Sequence, residues 1–182
     1  YRAEDLAALV EVTYRELPVI AEPLQALLLD APQIHADWPG NIAAELDNVS
    51  GDADGAFKHC AHRLRETFSF QRQAPLPLET RGCVADYQAD GTLTVWSSTQ
   101  VHFNVRNSFA EVLGVREVHV RVVAGNVGGG FGSKSRPYAE EVLVSHSSRL
   151  LGRPVRWIED RLENLQTTTH SRGTETELEL GF

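Results

Sequence analysis

The chain has 182 residues and a mass of 20.1 kDa, enough for one sizeable hydrophobic core or two small ones. Its 25 acidic residues outnumber 17 Lys and Arg to give a net charge of −8, with no basic stripe that could neutralise phosphates, which argues against a grip on nucleic acid. No apolar run approaches the roughly 20 residues of a membrane span, nothing at the N-terminus reads as a signal peptide, and two cysteines, Cys60 and Cys83, make no disulfide framework; the cytoplasm is the expected compartment.

The pattern predicts a short helix from Ala3 to Val10 and a strand from Val10 to Tyr14, stopped by Pro18. Pro23 suits the first turn of a helix that runs to Leu29. From residue 31 to 48 the composition shifts to Pro32, His35, Asp37, Trp38, Pro39, Gly40 and Asn41, a connecting segment whose tryptophan predicts that it is packed down. Asp52 is placed to cap a helix through Cys60, and a strand is expected over 63–71. Two further strands, Cys83 to Tyr87 and Thr92 to Trp96, meet around Ala89-Asp90-Gly91, where Asp-Gly signals a hairpin. A helix follows from about Val101 to Leu113, ended by Gly114, and then the alternating segment Val118 to Val123. A helix beginning near Pro137 runs to Leu150 and stops at Gly152 with Pro154 beyond, before strands at Val155 to Ile158 and Thr174 to Leu180. The fold class expected is α+β.

Between the alternating segment and the helix near Pro137 lies Val127-Gly128-Gly129-Gly130-Phe131-Gly132-Ser133-Lys134. Four glycines around one aromatic make a surface of backbone, because each missing Cβ lets main-chain N–H groups converge on an anion or a metal-bound oxygen. Phe131 is expected to pack against a buried wall or a flat ligand. Strand, glycine loop and helix in that order aim loop amides and a helix N-terminus at one point. A Walker A loop is not matched: Gly128, Lys134 and Ser135 fit, but Ser133 stands where glycine is needed. The dinucleotide fingerprint fails at the same residue.

Other groups of chemistry-bearing residues point to less. His59-Cys60-Ala61-His62 has soft ligands at close spacing, yet a structural zinc site wants four ligands in two separated pairs, so a helix end with Cys60 buried is the expectation. Glu140 and Glu141 are adjacent on a helix and point in different directions, which favours solvated or salt-bridged positions over a general base. Ser133 and Ser135 have no His or Asp partner by spacing. Lys134 either meets a cofactor phosphate or neutralises a helix-side carboxylate. Arg153 and Arg156 flank Pro154 on a strand that alternates direction.

Three strings, Trp96-Ser97-Ser98-Thr99-Gln100, Arg121-Val122-Val123 leading into Gly128-Gly129-Gly130-Phe131-Gly132, and Leu151-Gly152-Arg153-Pro154-Val155-Arg156-Trp157-Ile158-Glu159-Asp160-Arg161, resemble in order and spacing the molybdenum-binding large subunits of the xanthine dehydrogenase, aldehyde oxidase and carbon monoxide dehydrogenase family. The resemblance extends upstream through Pro77-Leu78-Glu79-Thr80-Arg81-Gly82, Gly51 to Phe57 and Val10 to Pro18, and so covers nearly the whole chain.

The resemblance implies that residues 1–30 are the tail of an α/β hammerhead domain, 31–48 the connecting segment, and 49–182 the N-terminal part of a molybdopterin-binding domain. Gln100 matches a glutamine that hydrogen-bonds an oxo ligand of molybdenum, and Gly129, Gly130, Phe131 and Gly132 match a loop whose amides approach that ligand and the pterin dithiolene. No side chain is expected to bind the metal, which the dithiolene holds. The purine hydroxylases of the family carry a glutamate after the loop lysine; Ser135 stands there and points away from purines. The family's catalytic glutamate lies far downstream of the loop, so the chain is expected to be an inactive fragment of an oxidoreductase that oxidises an aldehyde, an N-heterocycle or carbon monoxide. The parent is expected to be oligomeric, to use molybdopterin in its cytosine dinucleotide form, and to pass electrons to iron–sulfur and FAD partners. A non-catalytic scaffold fragment with a weak anion site is the alternative.

Overall fold

The computed structural model describes residues 2–182, which divide into two units: the chain up to Phe70 together with Gly173–Phe182, and the continuous stretch Gln71–Arg172. In chain order the elements are α1 (Arg2–Ala7), α2 (Ala53–His59), β1 (Arg63–Gln73), β2 (Gly82–Tyr87), β3 (Leu93–Ser97), α3 (His102–Leu113), β4 (Val120–Val123), α4 (Ala139–Leu151), β5 (Val155–Ile158), α5 (Arg161–Thr167) and β6 (Ser171–Gly181).

In the first unit, β1 and β6 form a two-stranded sheet, and His62 and Phe182 exchange both backbone hydrogen bonds beyond its end. Asp52 caps α2 by accepting from the Gly55 amide at 2.8 Å, as its place before the helix predicts. The strand expected from Val10 to Tyr14 is absent: the stretch pairs with no neighbour and its side chains are exposed, and alternation yields a strand only when a sheet edge receives it. The helix expected after Pro23 is one 3-10 turn, Pro23–Leu27. Segment 31–48 is tied down by Asn41 rather than by Trp38. The Asn41 amide donates to the carbonyls of Ala26 and Pro32 and accepts from the Ile34 N–H at 2.7 Å, while Trp38 stays exposed against His35.

The second unit is built on a four-stranded mixed sheet in the order β4-β3-β2-β5. The hairpin β2–β3 is antiparallel, β5 joins β2 antiparallel, and β4 joins β3 parallel after the α3 crossover. Strand periodicity decides the core. Register places Val155, Ala85, Val95 and Val122 in one row across the sheet, with Tyr87, Leu93 and Val120 in a second. On that face α3 delivers Val105, Phe109 and Ala110, and α4 delivers Val144, so that among the described residues all nine members of the buried apolar cluster lie in this unit. Gly114 and Gly152 end the two helices in left-handed geometry, as their positions predict. The alternating segment at 118 is partly corrected: Glu117–His119 forms a 3-10 turn and the strand begins at Val120.

Candidate functional site: a clamped glycine loop

The loop after β4 lies against two segments of its own unit, the strap 77–81 that leads into β2 and the turn after β3 that carries Gln100. Gln100 Oε1 accepts from the amides of Gly132 and Lys134, both at 3.2 Å, and the Gln100 N–H donates to the Lys134 carbonyl at 3.0 Å. Two N–H donors on one oxygen fix the orientation of the side-chain amide, so its NH₂ faces away from them. Among the described residues that NH₂ meets no protein acceptor, nor do the amides of Gly129, Gly130 and Phe131.

Close approach explains Gly128 and Gly130. A Cβ on Gly130 would stand 2.3 Å from Gln100 Cδ, and one on Gly128 would stand 2.6 Å from Glu79 Cβ. Of the two sequence expectations for Phe131, a buried wall or a flat ligand, the structure excludes the buried wall. Phe131 is 73% exposed and holds φ at +52°, a left-handed backbone that costs a non-glycine residue roughly 1–2 kcal/mol. Three donors from the loop, one side-chain NH₂ and an exposed aromatic ring thus share one short segment and its neighbour, a donor set suited to anionic oxygens or to sulfur beside a flat ring.

The loop serines do no more than shape it. Ser133 Oγ donates to the Gly130 carbonyl at 2.8 Å and Ser135 Oγ to that of Gly132 at 2.5 Å. At the N-terminus of α4, Glu141 Oε2 accepts from the Tyr138 amide at 3.0 Å. Glu141 is buried, with Ser97 Oγ donating to its other oxygen at 2.5 Å, and burial pushes its pKa up. The sequence expectation of a solvated or ion-paired carboxylate holds for Glu140, which meets Arg81 at 3.3 Å, and fails for Glu141.

Lys134 is 2% exposed, and its Nζ meets Glu79 Oε2 at 2.8 Å. It neutralises a carboxylate, as one of the two sequence readings has it, but one on the strap before β2 and not one on a helix. The Glu79 oxygen also accepts from the Gly128 amide at 2.8 Å, while the Glu79 N–H donates to the Gly128 carbonyl at 3.2 Å. Burial alone would raise Glu79, but the Lys134 ammonium and the Gly128 N–H outweigh it and hold the carboxyl below its usual range.

The strap itself is held by a buried ion pair. Arg81 donates Nε to Glu159 Oε1 at 2.8 Å and its backbone N–H to Oε2 at 2.9 Å, with a further contact from Nη2. Asn164 Nδ2 donates to Glu159 Oε2 at 2.7 Å, and the guanidinium lies 3.8 Å from the centre of the Tyr138 ring. The α5 helix that supplies Asn164 was not expected. Its signal is legible in Asp160-Arg161-Leu162-Glu163, a capping box in which each carboxylate accepts the other residue's amide.

The remaining candidates take no part in the loop's hydrogen bonds. Cys60 is half-buried rather than buried and donates to the Ala56 carbonyl, and among the described residues no cluster of three or more His, Cys, Asp or Glu is set to hold a metal ion. Cys83 is buried under the sheet, and burial followed by the Glu141 charge pushes its thiol up to about 12. Arg153 and Arg156 are both exposed; Arg156 lines a groove of about 480 Å³ on the sheet face opposite the helices, beside Trp96 and Ile158. Among the described residues no helix is long and apolar enough to cross a membrane.

Residues 34–182 match the model of the molybdopterin cofactor-binding domain. The chain is 37% identical to the carbon monoxide dehydrogenase large chain of Hydrogenophaga pseudoflava, over 94% of its own length and 23% of the relative's. It is 36% identical to the 6-hydroxypseudooxynicotine dehydrogenase complex subunit gamma of Paenarthrobacter nicotinovorans, over 100% of its own length and 23% of the relative's. The crystal structure of quinoline 2-oxidoreductase from Pseudomonas putida 86 superposes with a TM-score of 0.81 at 37% identity, covering 99% of this chain and 23% of that one. The chain therefore spans about a quarter of the length of the relatives it matches. The glycine loop, Gln100 and the strap all lie inside the matched span, and the chain belongs to the molybdopterin cofactor-binding domain family.

Proposed function

We propose that this chain is the part of a molybdenum hydroxylase that presents the amides of Gly129, Gly130 and Phe131, with the Gln100 NH₂, to a molybdopterin cofactor. The observation that carries the reading is the set of donors left without a protein partner beside a loop in which a Cβ on Gly128 or Gly130 would strike a neighbour. When bound, the cofactor supplies two-electron oxidation with water as the oxygen source, or oxidation of CO. The protein's share is positional. Gln100 and the loop amides donate hydrogen bonds to anionic oxygens on the cofactor, Phe131 gives a ring for a flat group to lie on, and fixed dipoles do this without reorganising. The general base is proposed to lie downstream of the loop, outside these residues, so the 182-residue chain alone is inactive.

The finer features follow from the same reading. Residues 1–30 would be the tail of a hammerhead domain, 31–48 a connector, and 49–182 the start of the cofactor domain. The whole protein would be a cytoplasmic, oligomeric oxidoreductase that carries the cytosine dinucleotide form of the pterin and hands electrons to iron–sulfur and FAD partners. Aldehydes, N-heterocycles or carbon monoxide are its substrates, since Ser135 leaves a purine without the acidic partner the family uses for it. Elemental analysis of the full polypeptide purified from its own host, with the nucleotide released by acid and identified, tests this. Near-stoichiometric molybdenum with CMP is expected; a metal-free protein would leave a scaffold.

A further inference from the structure

We propose that Glu79 is a positioning residue for the cofactor loop: one of its carboxylate oxygens closes the loop at both ends and, through Lys134, sets the direction of the Gln100 side chain. This rests on the loop being the cofactor site. The same atom, Glu79 Oε2, takes the amide at the loop's first glycine, Gly128, and the ammonium at its last residue, Lys134, each at 2.8 Å. Lys134 is therefore held twice, by its side chain on Glu79 and by its backbone N–H and carbonyl on Gln100. With Lys134 fixed, Gln100 Oε1 is committed to two N–H groups and its NH₂ can turn in one direction only.

Three features give the clamp its stiffness. Lys134 is almost fully buried with Glu79 as its anion, so releasing the carboxylate would strand a charge. Glu79 sits on a strap fastened on both sides: Arg161 donates to the carbonyls of Pro77 and Leu78 at 2.7 and 3.0 Å, and Thr80 Oγ1 donates to the Glu159 carbonyl at 2.7 Å. Gly128 cannot carry a side chain without striking Glu79 itself. The residue thus touches neither metal nor substrate, and acts through the groups that do.

The full-length protein with its partner subunits tests this in two variants. Glu79→Gln keeps an acceptor for Gly128 and removes the charge; Glu79→Gln combined with Lys134→Met removes both charges and strands neither. Molybdenum content, thermal melting and the Mo(V) EPR spectrum after partial dithionite reduction are read for each. Both variants are expected to carry molybdenum with g values shifted, or the signal split into more than one species, against a single wild-type species. A double variant whose spectrum superposes on wild type would overturn the proposal, and so would its failure to fold, which would make Glu79 a residue of the core. Wild-type protein without molybdenum would instead sink the reading of the loop as a cofactor site.

Discussion

The two units have similar supplies of large apolar side chains and use them in opposite ways. In Gln71–Arg172 the period of two along β2 and β3 meets helices whose apolar stripes face it, and Phe109, Leu93, Val95 and Val105 are wholly buried. In the chain up to Phe70 and Gly173–Phe182, Leu9, Tyr14, Leu17, Val19 and Leu29 are all exposed, and no described residue of that unit is buried. Hydrophobic content therefore does not predict a core. A second layer, in register, is what turns apolar residues into one. The site follows the core: the glycine loop, Gln100 and Glu79 are all in the unit that has one.

Substitution should expose that difference. In this chain Phe109→Ala is expected to cost about 3–5 kcal/mol, whereas Leu29→Ala should fall within about 0.5 kcal/mol, measured by urea unfolding. Equal effects would erase the contrast. Arg81→Met leaves Glu159 buried without its partner and should cost about 3–5 kcal/mol, a larger loss than either exposed ion pair of β1 with β6 can give, Arg65–Glu177 or Arg63–Glu179.

Two buried carboxylates of the second unit should give it a pH signature. Burial alone would raise Glu159, but Arg81, through side chain and backbone, and Asn164 bring it below the ordinary carboxylate value. The folded state then gives up this proton more readily than the unfolded state. The stability Glu159 contributes is present above the ordinary value and lost as pH falls through the folded one. Glu141 is raised by burial, with the opposite sign: its contribution is complete below the ordinary value and lost as pH rises through the folded one. Glu159→Gln should flatten the acid limb of a stability profile, and Glu141→Gln should flatten the decline above it. Unchanged limbs would show that neither group couples to folding.

Much of the second unit is legible in the sequence because its signals are local. Asp90-Gly91 marks the hairpin, Gly114 and Gly152 end the helices, and the run from Gly128 to Gly132 announces a surface made of backbone. What the sequence hides depends on partners far along the chain. Glu79 gains its meaning from Lys134, 55 positions away, and Arg81 from Glu159, 78 positions away. The strand misread at Val10 fails for the same reason, since the neighbour that would decide it is not encoded in the segment. For Phe131 the buried-wall alternative fails because burial, the ordinary fate of phenylalanine, needs a neighbouring wall that the segment does not encode.

The central claim is that the loop receives a cofactor through its backbone. Gly130→Ala tests it most directly, because the added methyl group would fall on the exposed Gln100 side chain and drive it off the Gly132 and Lys134 amides that hold it. Molybdenum per polypeptide in the full-length protein should drop at least about tenfold while the melting temperature shifts by no more than about 4 °C. Wild-type molybdenum in Gly130→Ala would contradict the account.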